Sequence, residues 1–348
     1  MTASPPRVAR SSARAEIVAF WRVLSANPLT LVGFLLVGVI SVAALLMVVA
    51  PHVLAPFTPL QATGAYNHAP SATYLLGTDG NGFDLYSNIM YALPLDLGIG
   101  FAVAGFALVF GGALGLVAGY WDSPGTVGGY TSLIILRLTD IFLSFPSLIL
   151  ALAITVSLGR GAWQAVVAVM ITWWPYYVRL VRGEVLAVKH LPYVMAARAA
   201  GVSNGRIVLR HVLRNVLEPL VVYFTLDVGT VLVTFSTIGY VAAAIPYPSL
   251  HPEWGSMISY YQAYGLLIAY PWEVLAPGAA IFITVLAFSL LGDGLRDVLD
   301  PRSRRALTQA AGRLGSQTED ALKAEKEEEE ESAPEGGLPG PAAAGGGP

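Results

Sequence analysis

Six apolar runs dominate this sequence, and each is long enough to cross a lipid bilayer. A transmembrane helix needs about 20 predominantly apolar residues, because the hydrocarbon core of a bilayer is about 30 Å thick. Backbone polar groups inside that core must pair within their own segment, which favours helices. The sequence therefore predicts an all-α, polytopic membrane protein with about six transmembrane helices. We place them near residues 30–50, 95–120, 132–157, 162–181, 216–238 and 272–292.

Composition supports the same class and excludes several kinds of chemistry. Only 12% of the 348 residues are charged, whereas soluble domains average about 25%. The chain contains no cysteine, which excludes disulfides, cysteine zinc sites and thiol catalysis. The sequence also lacks a G-x-x-x-x-G-K-[ST] phosphate-binding loop, so we expect this chain to bind neither ATP nor another cofactor. We predict no metal ligands and no catalytic residues.

Lysine and arginine are distributed unevenly between the predicted loops. The loops at 51–94 and 239–271 contain neither residue, whereas the loop between spans four and five is rich in arginine. Cytoplasmic loops carry such an excess of positive charge. With both termini in the cytoplasm, Arg160 is the only basic residue outside. The distribution therefore predicts a multi-pass protein of the cell membrane with both termini cytoplasmic.

The predicted organisation has five parts. A low-complexity, glutamate-rich sequence follows the last apolar run, and such sequence cannot bury a core. We therefore expect a disordered cytoplasmic tail. The parts are a cytoplasmic N-terminal segment at 1–29, a first transmembrane helix at 30–50, an external loop at 51–94, a core of five helices at 95–302 that contains a cytoplasmic loop at 183–215, and the tail at 303–348.

The cytoplasmic loop has an unusual pattern, with a run of small residues followed by a row of arginines. Gly201 is suited to end a helix, and Ser203 or Asn204 can cap the next one. Arg206, Arg210 and Arg214 follow at spacings of four, which would place them on one helical face. We predict a helix–Gly–helix segment along the membrane surface. It could bind lipid headgroups through arginine, or its small residues could dock against another protein.

Acidic residues in or near the predicted spans are costly to bury in lipid and are candidates for function. Asp140 lies three residues after Arg137 on the same helical face, which predicts a structural ion pair. Asp227 lies in the middle of a predicted span and could line a translocation path or pair with another subunit. Asp96 lies near the outer end of its span, where it could be hydrated or belong to the same path.

Several stretches together resemble one family. The order Tyr-Val-x-Ala-Ala-x-x-x-Gly from Tyr193 resembles the EAA loop of ABC importer permeases, and more closely that of the dipeptide/oligopeptide/nickel permease family. The resemblance covers about residues 20–302, with departures that include Phe83 in place of a common Arg and Pro192 in place of a common Asp. The other matching stretches are LLGTDGNGFDLYS at 75–87, LRLTDIFLSFPSLILAL at 136–152, EWGSM at 253–257, YPWEVLAPGAAI at 270–281 and LLGDGLRDVLDPR at 290–302.

The resemblance implies a transport subunit, not an enzyme. In such permeases the EAA loop is a coupling helix that fits a groove on a separate ATPase, where ATP and Mg²⁺ bind. The implied partners are two ATP-binding ABC subunits, a second homologous permease that would form a heterodimer, an extracytoplasmic solute-binding protein and the lipid bilayer, with no nucleic acid. The implied substrate is a peptide or an oligosaccharide. The residues implied in coupling to the ATPase are Tyr193, Ala196, Ala197, Arg198, Gly201, Arg206, Arg210 and His211.

Two other functions compete with this interpretation. An ion-coupled secondary transporter would use the acids in the spans as a relay, but no inverted repeat of broken helices is evident. A membrane enzyme would have to use external groups such as His68, His251, Asp79 and Asp84, whose spacing is not typical of metal ligands.

Overall fold

A computed structural model describes residues 28–242 and 245–299. The N-terminal segment 1–27 and the tail from residue 300 onwards lie outside the described residues. In chain order the helices of the described residues are α1 (Pro28–Val49), α2 (Leu85–Phe106), α3 (Gly112–Tyr120), α4 (Val127–Leu143), α5 (Ser147–Leu158), α6 (Ala162–Val188), α7 (Pro192–Ala199), α8 (Asn204–Ile207), α9 (Leu213–Ala242), α10 (Trp254–Ala263), α11 (Leu266–Ala269) and α12 (Pro271–Leu299).

Two π-helical turns join helices end to end. Ala107–Gly111 joins α2 to α3, and Val208–Val212 joins α8 to α9. The resulting elements, Leu85–Tyr120 and Asn204–Ala242, are 36 and 39 residues long.

Four helical elements of the described part are long and apolar enough to cross a membrane: α1, α2–α3, α8–α9 and α12. A fifth span results if α4 and α5, which are bent by 84°, form one crossing. The fourth predicted span, 162–181, falls on α6. This helix has 27 residues, but tryptophan, tyrosine and arginine make its second half less apolar. The polytopic all-α class is confirmed.

Two predicted boundaries differ from the structure. Helix α2 begins at Leu85 and not near residue 95, because Asp84 caps it and its carboxylate accepts from Ser87 N at 2.8 Å. Pro94 lies inside the helix, where neighbouring helices can compensate for its missing N–H. At the other boundary, α6 extends to Val188 and so includes the first residues of the loop predicted at 183–215.

Glycine allows α3 and α6 to pack with their backbones almost touching. Gly111, Gly115 and Gly119 recur every four residues on one face of this element. A Cβ atom at Gly115 would lie 2.8 Å from Val178 O and 2.8 Å from Val181 Cβ. The same close approach occurs at Gly119, against Val185. Small residues at such spacing are typical of membrane helix interfaces.

Helix α10 is a short helix that is docked against α2 and α9. Its first residue, Trp254, is 1% exposed, and its indole Nε1 donates to Ile89 O at 3.1 Å. Glu253 caps the helix by accepting from Gly255 N and Ser256 N, both at 2.7 Å. Gly255 lies directly against Ser236 of α9. Helix α10 is therefore anchored to α2 and α9.

Candidate functional site

The arginine-rich loop forms the predicted helix–Gly–helix segment. Helix α7 starts at Pro192, a residue favoured at the first helical position, and Gly201 follows its end with φ +77°. Only a residue without Cβ adopts this conformation at no cost. Ser203 occupies the N-cap position of α8 but makes no side-chain cap bond. Asn204 Oδ1 instead accepts from Tyr120 OH at 2.9 Å, which ties α8 to α3.

One side of this segment is buried and the other is exposed. Val194 and Ile207 are 0% exposed and belong to the main core. Tyr193, in contrast, is 43% exposed, and Ala196, Arg198 and Gly201 are also exposed. A Cβ atom at Gly201 would meet open space. The segment thus presents small and aromatic residues on a surface that is held firmly from beneath.

Two further contacts fix the position of α7. Lys189 Nζ donates to Gly119 O at 2.9 Å, so the end of α3 is bonded to the start of the loop. The Arg198 guanidinium lies 5.7 Å from the centre of the Tyr120 ring, a cation–π distance.

The arginine row differs from the prediction. A repeat of four residues gives one face only in a regular α-helix, and the π-helical turn Val208–Val212 interrupts that repeat. Arg206, Arg210 and Arg214 are all exposed, and His211 is half-buried. The residues implied in coupling therefore all lie in this segment, and all are exposed except Ala197 and His211, which are half-buried.

A cavity of about 410 Å³ lies between α6 and α9, next to the start of α5. Asp227 is 6% exposed and forms part of its wall. Its carboxylate accepts from Trp173 Nε1 at 2.9 and 3.0 Å and from Tyr177 OH at 2.9 Å. The cavity is lined by Ser147, Trp173, Tyr176, Tyr223, Leu226, Asp227, Thr230 and Thr234.

Asp96 does not share this cavity. It is 1% exposed, and its carboxylate accepts from the backbone N–H of Trp254 at 3.1 Å. Asp96 therefore anchors α10 to α2 in this structure and does not lie on a hydrated surface. Sequence alone could not show this, because the two residues are 158 positions apart.

Asp140 has a closer partner than the predicted one. Arg137 Nη1 lies 4.0 Å from it, but Arg179 Nη2 donates to it at 2.8 Å. All three side chains are about half exposed or more, so these pairs are each worth only about 0–1 kcal/mol. The Arg179 contact joins α4 to α6, as the Arg182–Asp122 pair at 2.8 Å joins α6 to the loop after α3.

The two acids considered for catalysis, Asp79 and Asp84, accept hydrogen bonds from nearby backbone N–H groups. Asp79 accepts from Asn81 N at 2.9 Å and Phe83 N at 2.8 Å, and Asp84 caps α2. Burial raises the pKa of Asp79 above its ordinary value of 3.8, against the lowering effect of these backbone N–H groups. Within the described residues, no group of three or more His, Asp or Glu side chains could hold a metal ion.

Comparison with known proteins identifies the family. Residues 111–305 match the family model described as binding-protein-dependent transport system inner membrane component. The dipeptide transport system permease protein of Alkalihalophilus pseudofirmus is 37% identical over 76% of this chain and 86% of that protein. The chain belongs to this family. The glutathione transport system permease protein of Pectobacterium atrosepticum is 36% identical over 68% of this permease and 75% of that protein.

One solved structure completes the comparison. The MetNI methionine ABC transporter, in inward-facing conformations, is 22% identical to the permease, with a TM-score of 0.48 over 61% of this chain and 94% of that chain. Family membership makes this chain a membrane transport component of the ABC type, as predicted, and not an enzyme. The dipeptide permease and glutathione permease relatives support the predicted likeness to peptide permeases.

Proposed function

We propose that this permease is the membrane subunit of an ATP-driven importer of short peptides, and that it is driven through α7 by separate ATPase chains. The observation that carries the proposal is the surface of α7, which exposes Tyr193, Ala196 and Gly201 above a fully buried Val194. Small residues let another surface approach closely. A buried anchor beneath them means that a push on α7 is passed to the bundle and is not absorbed by a flexible loop.

The proposed assembly contains two ATP-binding ABC subunits, which hold ATP and Mg²⁺, a second homologous permease and an external solute-binding protein. Both termini of this chain lie in the cytoplasm, on the side of the arginine-rich loop. Arg206, Arg210 and His211 hold the segment at the membrane surface, while Tyr193, Ala197 and Arg198 belong to the docking helix. Peptides are the proposed substrates because the dipeptide and glutathione relatives are permeases of peptide-sized solutes. Oligosaccharides are the competing substrate class.

Gentle purification of the tagged full chain from its native membranes tests this proposal. We expect ATPase chains and a second permease to be recovered with it, and Tyr193→Glu to reduce their recovery at equal membrane levels. Glu218→Gln, on the exposed face of α9, is the matched control. Recovery of a stable chain without any ATPase would contradict the proposal and favour an ion-coupled secondary transporter. A co-purified binding protein that binds oligosaccharides and no peptide would overturn the substrate assignment.

A further inference from the structure

The wall of the cavity at Asp227 is built from one face of each of two helices. Tyr223, Asp227, Thr230 and Thr234 of α9 are spaced by three or four residues, which places them in one row along that helix, and Leu226 lies beside Asp227. Trp173 and Tyr176 of α6 face them across the cavity. The row continues for more than two helical turns.

Asp227 is a buried carboxylate without a cationic neighbour in the described part of the chain. Its hydrogen bonds come from an indole N–H and a phenol, both neutral, and its oxygens belong to none of the ion pairs found there. Burying a charge costs much free energy unless it is paired with an opposite charge. The two donors orient the carboxylate but leave its negative charge uncompensated.

The rest of the wall also favours positive charge. Thr234 donates its hydroxyl proton to Thr230 O at 2.9 Å, and Thr230 donates to Leu226 O at 3.3 Å. Each of these hydroxyl oxygens therefore has only lone pairs left to offer a ligand. The Trp173, Tyr176 and Tyr223 rings add aromatic faces, which carry partial negative charge and attract cations. No lysine, arginine or histidine lines the cavity.

We propose that this cavity is a binding site for an organic ammonium group, such as the free α-amino group of a short peptide, with Asp227 as its counter-ion. The proposal deepens the proposed function, on which its choice of peptide rests. A volume of about 410 Å³ lies within the range of about 300–1,000 Å³ that is typical of small-molecule sites. The site therefore selects for a charged amino end as the solute passes the bundle.

Equilibrium binding to the full permease tests the site directly. The protein is purified in nanodiscs with the subunits that accompany it, washed free of any binding protein, and titrated with radiolabelled Ala-Ala or N-acetyl-Ala-Ala. We expect Ala-Ala to bind at least about tenfold more tightly, and Asp227→Asn to abolish that preference, because it removes one partner of a buried charge pair. Glu218→Gln lies exposed on the same helix and should preserve it.

A second pair of variants keeps the test valid if Asp227→Asn reduces stability. Tyr223→Phe retains the aromatic face, so it should bind Ala-Ala more tightly than a variant that lacks the face. Tyr223→Leu removes the face and should weaken binding by about threefold to tenfold, the size of a partly buried cation–π contact. Equal binding of the two peptides by the wild type, or a preference for Ala-Ala that persists in Asp227→Asn, would overturn the proposal.

Failure of this site and failure of the proposed function give different results. A permease that purifies without ATPases but prefers Ala-Ala through Asp227 keeps the ammonium site and loses the importer. One that purifies with ATPases but binds both peptides equally keeps the importer and loses the site. Ligand-free proton uptake that disappears in Asp227→Asn, with no peptide preference, would assign Asp227 to a proton relay and overturn the ammonium site.

Discussion

Gly201 combines two properties that sequence reasoning could separate only in part. Its small size was evident, and its place at the end of a helix followed from the pattern of the loop. The structure adds a left-handed backbone, φ +77°, with open space where a side chain would project. Substitutions at this residue can therefore change either the backbone or the surface above it.

We predict that Gly201→Leu uncouples ATP hydrolysis from transport. Leucine would add a branched side chain to the docking surface and strain of about 1–2 kcal/mol in the left-handed backbone. Asparagine tolerates that backbone far better, so Gly201→Asn is the matched control and should retain most activity. The measurement is solute-stimulated ATPase activity of the assembled complex at equal assembly. Unchanged stimulation in Gly201→Leu would show that α7 does not dock through this residue.

Glu253 makes the docking of α10 sensitive to pH. Burial raises the pKa of Glu253 to about 7 from an ordinary 4.5, although the N–H groups of Gly255 and Ser256 act in the opposite direction. Asp96 of α2 is the titratable group that faces it, and Ser236 of α9 lies alongside. A raised pKa means that the docked state binds more protons than the undocked state, so docking is strongest at low pH and weakens as pH rises through about 7.

We therefore predict that α10 opens more often at pH 8 than at pH 6. Since the chain contains no cysteine, a single cysteine at Met257, which is 0% exposed, reports opening by its rate of maleimide labelling. An exposed cysteine at Ala263 on the same helix corrects for the reactivity of the thiol itself. Glu253→Gln should remove most of the pH dependence. A corrected rate that is the same at both pH values would contradict this assignment.

Individual partners were the least predictable feature of the candidate sites. The charges of Asp227 and Asp140 indicated function or pairing. Their partners could not be identified, because Trp173 lies 54 positions from Asp227 and Arg179 lies 39 positions from Asp140 in the chain. Helical spacing identifies neighbours only three or four residues apart. Partners on other helices depend on how the helices pack, which no local pattern encodes.

The positions of whole helices were more predictable than their ends and the π-helical turns that connect them. Long apolar runs placed most of the bundle, since length and hydropathy together specify a span. The two π-helical turns were missed because a single widened turn leaves no periodic signature in the sequence. The early start of α2 was missed because Pro94 suggests a helix boundary in water, whereas a membrane bundle accommodates it.

The interface between α3 and α6 gives a prediction for stability. Gly115→Ala would place a methyl group 2.8 Å from Val178 O and Val181 Cβ, and such overpacking costs about 1–3 kcal/mol. Gly105→Ala, in the preceding helix, meets nothing within 4 Å and should be neutral or stabilising by up to about 1 kcal/mol. The thermal denaturation midpoint in detergent distinguishes the two. Equal midpoints would show that these helices separate easily.

The complete molecule includes a tail whose composition differs from that of the bundle. Residues 319–331 carry a dense run of glutamate, and glycine, proline and alanine follow. We predict that deletion of residues 306–348 leaves solute uptake and membrane level unchanged, because such sequence has no apolar surface to contribute to a core. Uptake measured in cells against the full chain tests this. A large loss of uptake at normal membrane levels would show that the tail has a partner.

The hydrogen bond from Lys189 to Gly119 O fixes one end of α6 to α3. Trp173 lies 15 residues before Val188, or about 22 Å along a helix that rises 1.5 Å per residue. If α6 tilted by about 10° about its Lys189 end, the same helical geometry means that Trp173 would move by about 4 Å. That distance exceeds the 2.9–3.0 Å bonds between Trp173 and Asp227. A rotation of this size at the Lys189 end of α6 would therefore be enough to break the contact between Trp173 and Asp227.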